Sequence, residues 1–190
     1  PMFLLGLACL LILVEPDFGS AVVLLLTALG MMYLAGVRLW QFASLLLSTG
    51  SLFALLAISS PYRLQRLTAF LDPWSDPFNS GFQLTQSLIA FGSGGWTGVG
   101  LGRSVQKLFY LPEAHNDFLF AILAEELGLV GVVLVLILFV ILVWRALSIA
   151  VQAERSGHLF AAYLAYGIAL WFAIQSMINI GVNMGVLPTK

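Results

Sequence analysis

Charge is what this chain has least of. Lys, Arg, Asp and Glu make up 9% of its 190 residues, while 61% are hydrophobic. A soluble domain of that length would carry far more charge on its surface, so the deficit excludes an ordinary soluble fold. The net charge of −1 comes with no basic patch. Nothing is available to neutralise phosphates along a duplex, which excludes a nucleic-acid partner. Cys9 is the one cysteine and lies in an apolar segment, so a disulfide or a cysteine-built metal site within the chain is excluded. The opening at Pro1 has no basic n-region, and no cleavable signal peptide is expected there.

What the chain has instead is long apolar runs. A mean hydropathy of +1.01, with runs of about 18 or more apolar residues, places it in a bilayer. The first run, 2–14, would be roughly 20 Å long as a helix, short of a hydrocarbon core of about 30 Å. Four more runs follow, 19–36, 40–59, 118–144 and 159–186. Lipid leaves a backbone few alternatives to helices. The expected fold is therefore an all-α, polytopic integral membrane bundle of five helices. The short first run and the abrupt end at 187–190 lead us to expect an internal piece of a larger membrane protein. By parity the polar stretch 60–117 shares a side with the 15–18 turn. Arg38 and an expected connection over 145–158, with Arg145 and Arg155, lie opposite. Counting basic residues does not orient the piece, because the positive-inside rule weakens for long loops.

The long loop has an order of its own. Leu64 and Leu67 on one side, with Arg63 and Arg66 on another, predict a short interfacial helix over 62–70. Asp72-Pro73 and Asp76-Pro77 predict turns. Leu84, Leu88 and Phe91 would form the apolar face of a second short helix over 83–91. The stretch 92–102, GSGGWTGVGLG, carries six glycines and matches neither a Walker A loop nor the dinucleotide spacing. Close packing of this loop on helices competes with phosphate binding. The phosphate reading draws on Arg103 and Lys107, which are unpaired in local sequence and suit a pyrophosphate at the membrane surface. Ser104-Val105-Gln106-Lys107 matches a nucleophilic S-x-x-K formally, but the companion K-T-G is absent.

Glu113-Ala114-His115-Asn116-Asp117 is the strongest chemical candidate. Asp117 stands where the polar loop meets an apolar helix, so a base there would reach substrate from the aqueous side. An N-cap is the competing role, and the two are compatible. For Glu125 and Glu126, salt bridging to another helix or to the loop arginines competes with a direct role. Gln175, Asn179 and Asn183 recur at i, i+4 and i+8, a stripe suited to interhelical hydrogen bonds or to a wet cavity. Gly181 and Gly185 form a small-xxx-small pair. Lys190 would continue the Asn183 face if the helix ran on.

At these residues the sequence resembles the SEDS family (FtsW and RodA) of polytopic cell-wall proteins. The matching stretches are EPDFGSA (15–21), YRLQRLTAFLDPWSDPFNSGFQLTQSLIAFGSGG (62–95), GVGLGRSVQKLFYLPEAHNDFLFAILAEELG (98–128) and INIGVNMGVLPTK (178–190). DPWSDP, SVQKL and YLPEAH favour the division branch over the elongation branch. The resemblance implies a ten-helix bundle of which this chain supplies about the fifth to ninth helices. The segment 60–117 would be the large extracytoplasmic loop of a protein in the bacterial cytoplasmic membrane at the division septum. It implies a peptidoglycan glycosyltransferase that polymerises lipid II, working with a class B penicillin-binding protein and other divisome membrane proteins. Asp117 would be the catalytic base, with Arg103, Lys107, Glu113, His115 and Lys190 binding or lining substrate. A divalent cation, Mg2+ or Mn2+, would help the pyrophosphate leave. Asn116 stands where the family usually has Thr, and Phe109 where close relatives often carry an acid. A lipid II flippase using the 175/179/183 stripe, or a division scaffold, are the alternatives. The piece alone is not expected to be active.

Overall fold

The computed structural model describes residues 6–9, 11–12, 18–58, 70–79, 81–108, 111–112 and 115–188. Most of the 2–14 run, residues 15–17 of the turn and the expected interfacial helix up to residue 69 lie outside the described residues, as do Glu113 and Lys190.

The described residues are all-α. The helices are α1 (Phe18–Leu34), α2 (Leu39–Ile58), α3 (Phe82–Gly94), α4 (Leu119–Arg155) and α5 (Leu159–Asn183). Helices α4 and α5 are long and apolar enough to cross a membrane, and α2 rises about 30 Å over its length. Two compact units are present, residues 1–54 with 139–175 and 190, and residues 55–138 with 176–189.

In the first unit α1 packs on α5 through small residues. A Cβ at Gly30 would lie 3.0 Å from Leu170 Cδ1, and one at Gly167 would lie 3.5 Å from Met31 Sδ. Ala21, Val23, Ala162 and Ala169 are buried, so the backbones approach as small residues in lipid-embedded helices permit. Helix α1 stops at Gly36, whose φ of 73° puts it in the left-handed region open to glycine. The Val37 N–H then returns to the Met32 carbonyl at 3.2 Å. Helix α4 outlasts its apolar run. The expected connection over 145–158 is helical to Arg155, because 146–155 is rich in Ala, Leu, Gln, Glu and Arg, all good helix formers. Gly157, at φ 79°, ends it. The Tyr166 hydroxyl donates to Glu154 Oε2 at 2.8 Å, tying the end of α4 to α5.

The second unit holds α3, the glycine loop, the start of α4 and the end of α5. Asp72-Pro73 and Asp76-Pro77 fold back on the start of α3. Thr85 Oγ1 donates to the Pro73 carbonyl at 3.1 Å, and the Gly81 N–H to that of Asp76 at 3.0 Å. Ala90, Leu111, Phe118, Ala121, Ile122 and Val182 form one core cluster. Phe120, Ala124 and Val132 form another, joined to α3 by Phe91, whose ring lies 5.9 Å from that of Phe120. Helix α5 ends at Asn183. Gly185 serves as the left-handed stop at φ 70° rather than as half of a small-xxx-small helix contact. A Cβ there would meet Leu84 and Leu88 of α3.

Candidate functional site

The site is built around a break in α4. Gly128 has φ 63° and ψ −163° inside the helix, a conformation that glycine adopts readily and other residues rarely. It lies roughly 13 Å along the axis from the first residue of α4. A break at that depth frees backbone groups that lipid cannot satisfy. The glycine loop satisfies them. Val99 and Gly100 donate their N–H groups to the carbonyls of Glu125 and Glu126 at 3.0 and 3.1 Å. Leu129 and Val130 donate to the carbonyls of Gly95 and Trp96 at 2.9 and 3.1 Å. The contact needs glycine. A Cβ at Gly94 would collide with the Ala124 carbonyl, one at Gly98 with that of Glu126, and one at Gly128 with the Gly98 nitrogen.

The carboxylates of the same two glutamates hold the next part of the loop. Glu125 is 3% exposed. It accepts the Ser104 hydroxyl proton, the Val105 N–H at 3.1 Å and the Gln106 N–H at 3.3 Å. Glu126 accepts the Ser104 N–H at 3.3 Å and pairs with Lys107 Nζ at 2.7 Å. Successive N–H groups thus make an anion-binding concavity, and a protein carboxylate fills it. Ser104 is 1% exposed, and its Oγ also accepts the Lys107 N–H at 3.2 Å. The formal S-x-x-K is a structural turn.

Asp117 sits at the entrance to α4, half-buried, between exposed His115 and Asn116 and buried Phe118. Its backbone carbonyl accepts two side-chain amides from α5, Asn179 Nδ2 at 3.0 Å and Asn183 Nδ2 at 2.7 Å. The oxygen of the Asn183 side chain accepts the Ala121 N–H at 3.0 Å. That donor is the one a capping side chain at residue 118 would normally take, so the last helix caps α4 from outside. Ser87 of α3 donates to the Asn183 carbonyl at 2.7 Å, and Asn183 is fully buried. The stripe at 179 and 183 is therefore interhelical hydrogen bonding at the aspartate.

The loop cations differ. Lys107, unpaired in local sequence, is paired with Glu126. This is a contact 19 residues away that local sequence does not reveal. Arg103 is exposed and has no ion pair among the described residues. The Gly128 break and the buried Ser104–Glu125 contact were not foreseen. The one available signal is Glu125-Glu126-Leu127-Gly128, two acids and a glycine inside an otherwise apolar span. Among the described residues no group of three or more His, Cys, Asp or Glu could hold a metal ion, and Glu125 and Glu126 are engaged by the loop.

Fold and site together define an all-α membrane protein with a polar loop stitched into a broken spanning helix and a half-buried aspartate just before that helix begins. The family model for FtsW, RodA and SpoVE, described as "Cell cycle protein", matches residues 1–190, and the chain belongs to that family. It is 65% identical over 190 residues to the "Probable peptidoglycan glycosyltransferase FtsW" of Thioalkalivibrio sulfidiphilus, covering 100% of this chain and 48% of that one. The like-named protein of Coxiella burnetii is 64% identical over all of this chain and 51% of its own length. The chain thus spans about half the length of the curated relatives it matches. A solved structure described as "Structural coordination of polymerization and crosslinking by a peptidoglycan synthase complex" is similar with a TM-score of 0.70 and 27% identity, over 100% of this chain and 52% of that one.

Proposed function

We propose that the full-length protein carrying this segment is a peptidoglycan glycosyltransferase that polymerises lipid II during septal wall synthesis, with Asp117 as general base. Asp117 takes the proton of the acceptor sugar's 4-hydroxyl. The oxygen forms a bond to the donor's anomeric carbon, the bond from that carbon to the pyrophosphate breaks, and undecaprenyl pyrophosphate leaves with the electron pair. The observation that carries this reading is the placement of Asp117. It is a carboxylate at the aqueous mouth of a spanning helix, with its backbone held by two amides. Arg103 and Lys107 are the cations proposed to meet the departing pyrophosphate. Lys107 would exchange its Glu126 contact for phosphate. His115, Glu113 and Lys190 are proposed to line the substrate path. A divalent cation enters as a companion of the substrate's phosphates, the way Mg2+ commonly binds, and no step is assigned to it.

The names of the relatives support the activity, and the similarity to a peptidoglycan synthase complex supports a transpeptidase partner of the class B penicillin-binding type. A place in the bacterial cytoplasmic membrane at the septum, among other divisome membrane proteins, follows from the same reading. Of the stripe that would serve a flippase, Asn179 and Asn183 bond to the Asp117 carbonyl.

The test is glycan-strand synthesis from purified lipid II by the full-length protein with its partner, wild type against Asp117→Asn. A folded, partner-binding variant that makes no polymer supports the base assignment. Normal polymer from Asp117→Asn would reduce Asp117 to a structural residue and move the flippase and scaffold readings ahead.

A further inference from the structure

Asn183 stands out among the buried polar groups because every atom of its amide is committed at the aspartate. Its Nδ2 donates to the Asp117 carbonyl at 2.7 Å and to the Asn179 carbonyl at 2.8 Å. Its Oδ1 accepts the Ala121 N–H at 3.0 Å. The two requirements fix which end is oxygen and which is nitrogen, since a carbonyl needs a donor and an N–H needs an acceptor. The side chain has no exposed surface, so it cannot touch substrate. Residue 117 and residue 121 are one helical turn apart, and a single amide grips both. Asn179 adds a second donor to the Asp117 carbonyl at 3.0 Å.

We infer that Asn183 is a positioning residue for the glycosyl transfer: its amide fixes the backbone at Asp117 against the first turn of α4 and so sets where the base's carboxylate stands. The inference rests on the reading of Asp117 as the base. The loop before Asp117 is polar and its neighbours His115 and Asn116 are exposed. Without the amide, the carbonyl of residue 117 loses its shorter donor and the Ala121 N–H keeps only the Phe118 carbonyl, at 3.1 Å. The junction can then relax by a fraction of an ångström without unfolding the bundle. A misplacement of about 1 Å at a reacting group can cost about a hundredfold in rate. Such a loss falls on kcat, because the groups that bind substrate are untouched.

The experiment uses the full-length protein with its partner, purified lipid II as substrate, and initial rates over a range of substrate. Asn183→Leu keeps the approximate volume and removes both hydrogen-bonding ends. Its kcat is expected to fall about ten- to a hundredfold, with KM changing by less than about twofold. Asn179→Leu removes only the second donor and should lower kcat about threefold with the same KM. Ser87→Ala removes a hydrogen bond to the same residue 183, at its backbone carbonyl rather than its amide, and should leave kcat as in wild type. Where Asn183→Leu does not accumulate, Asn179→Leu against Ser87→Ala decides. An unchanged kcat in Asn179→Leu, or an equal loss in Ser87→Ala, overturns the inference. Asp117→Asn is run alongside. If it polymerises normally, the base reading fails. If it is inactive while Asn183→Leu keeps wild-type kcat, that reading stands and only the positioning role is lost.

Discussion

The Ser104 hydroxyl donates a hydrogen bond to the Glu125 carboxylate across 21 residues of sequence, in the interior of the second unit. This one contact joins the loop to the helix at the level where the helix is broken. It also explains why an acid tolerates burial at that point. Glu125 has a hydroxyl and two backbone N–H groups around it, and a buried carboxylate is retained where it is well hydrogen-bonded.

Removing that carboxylate should therefore be costly. Glu125→Ala leaves the buried Ser104 hydroxyl and Gln106 N–H, and the part-buried Val105 N–H, without their acceptor, and a loss of about 3 kcal/mol of stability is expected. Ser104→Ala should cost about 1 kcal/mol, since the backbone donors keep Glu125. Thermal unfolding of the full-length protein in detergent measures both. Equal midpoints for Glu125→Ala and wild type would show that the loop is held by other means.

The glycines separate into those that touch and those that only turn. Gly128→Ala meets both a left-handed φ and the Gly98 nitrogen, and Gly98→Ala meets the Glu126 carbonyl. Both should fail to accumulate in membranes. Gly102 also has a positive φ, 79°, but a Cβ there has nothing within 4 Å. Gly102→Ala should cost only about 1–2 kcal/mol. Membrane levels of the three variants check the ranking, and a Gly128→Ala protein present at wild-type level would contradict it.

Lys107 and Glu126 offer a swap. Their side chains are 29% and 13% exposed, so the pair contributes only about 1 kcal/mol, less at high salt. Lys107→Glu should lower stability, and adding Glu126→Lys should restore only part of it, because lysine cannot accept the Ser104 N–H that Glu126 holds. Polymer synthesis should stay low in the swapped protein, because the cation proposed to meet pyrophosphate has moved to another backbone position. Recovery of synthesis together with stability would mean that Lys107 serves only its ion pair.

Apolar runs made the membrane helices readable, because lipid imposes on side chains a demand that composition alone displays. The short helix over 83–91 was readable for a related reason, its spaced Leu84, Leu88 and Phe91, and it runs Phe82–Gly94 in the structure. The end of α4 was not readable from hydropathy. Apolarity stops near Trp144, while helix propensity continues to Arg155. The Gly128 break was hidden because a lone glycine is tolerated inside a helix, and what decides its conformation is a loop some 30 residues earlier. The stripe at 179 and 183 was legible as a period. Its partner, the backbone of Asp117, was not, since a carbonyl leaves no mark in sequence.

Four hydrogen bonds flank Gly128, tying residues 95 and 96 to 129 and 130, and residues 99 and 100 to 125 and 126. A single inserted residue between Trp96 and Gly98 would shift that pairing and push a side chain into a space that admits none. Loop and helix therefore fit only as one block. Chimeras between relatives should keep 94–130 from a single parent, with crossovers placed outside it, however similar the two parents look on either side.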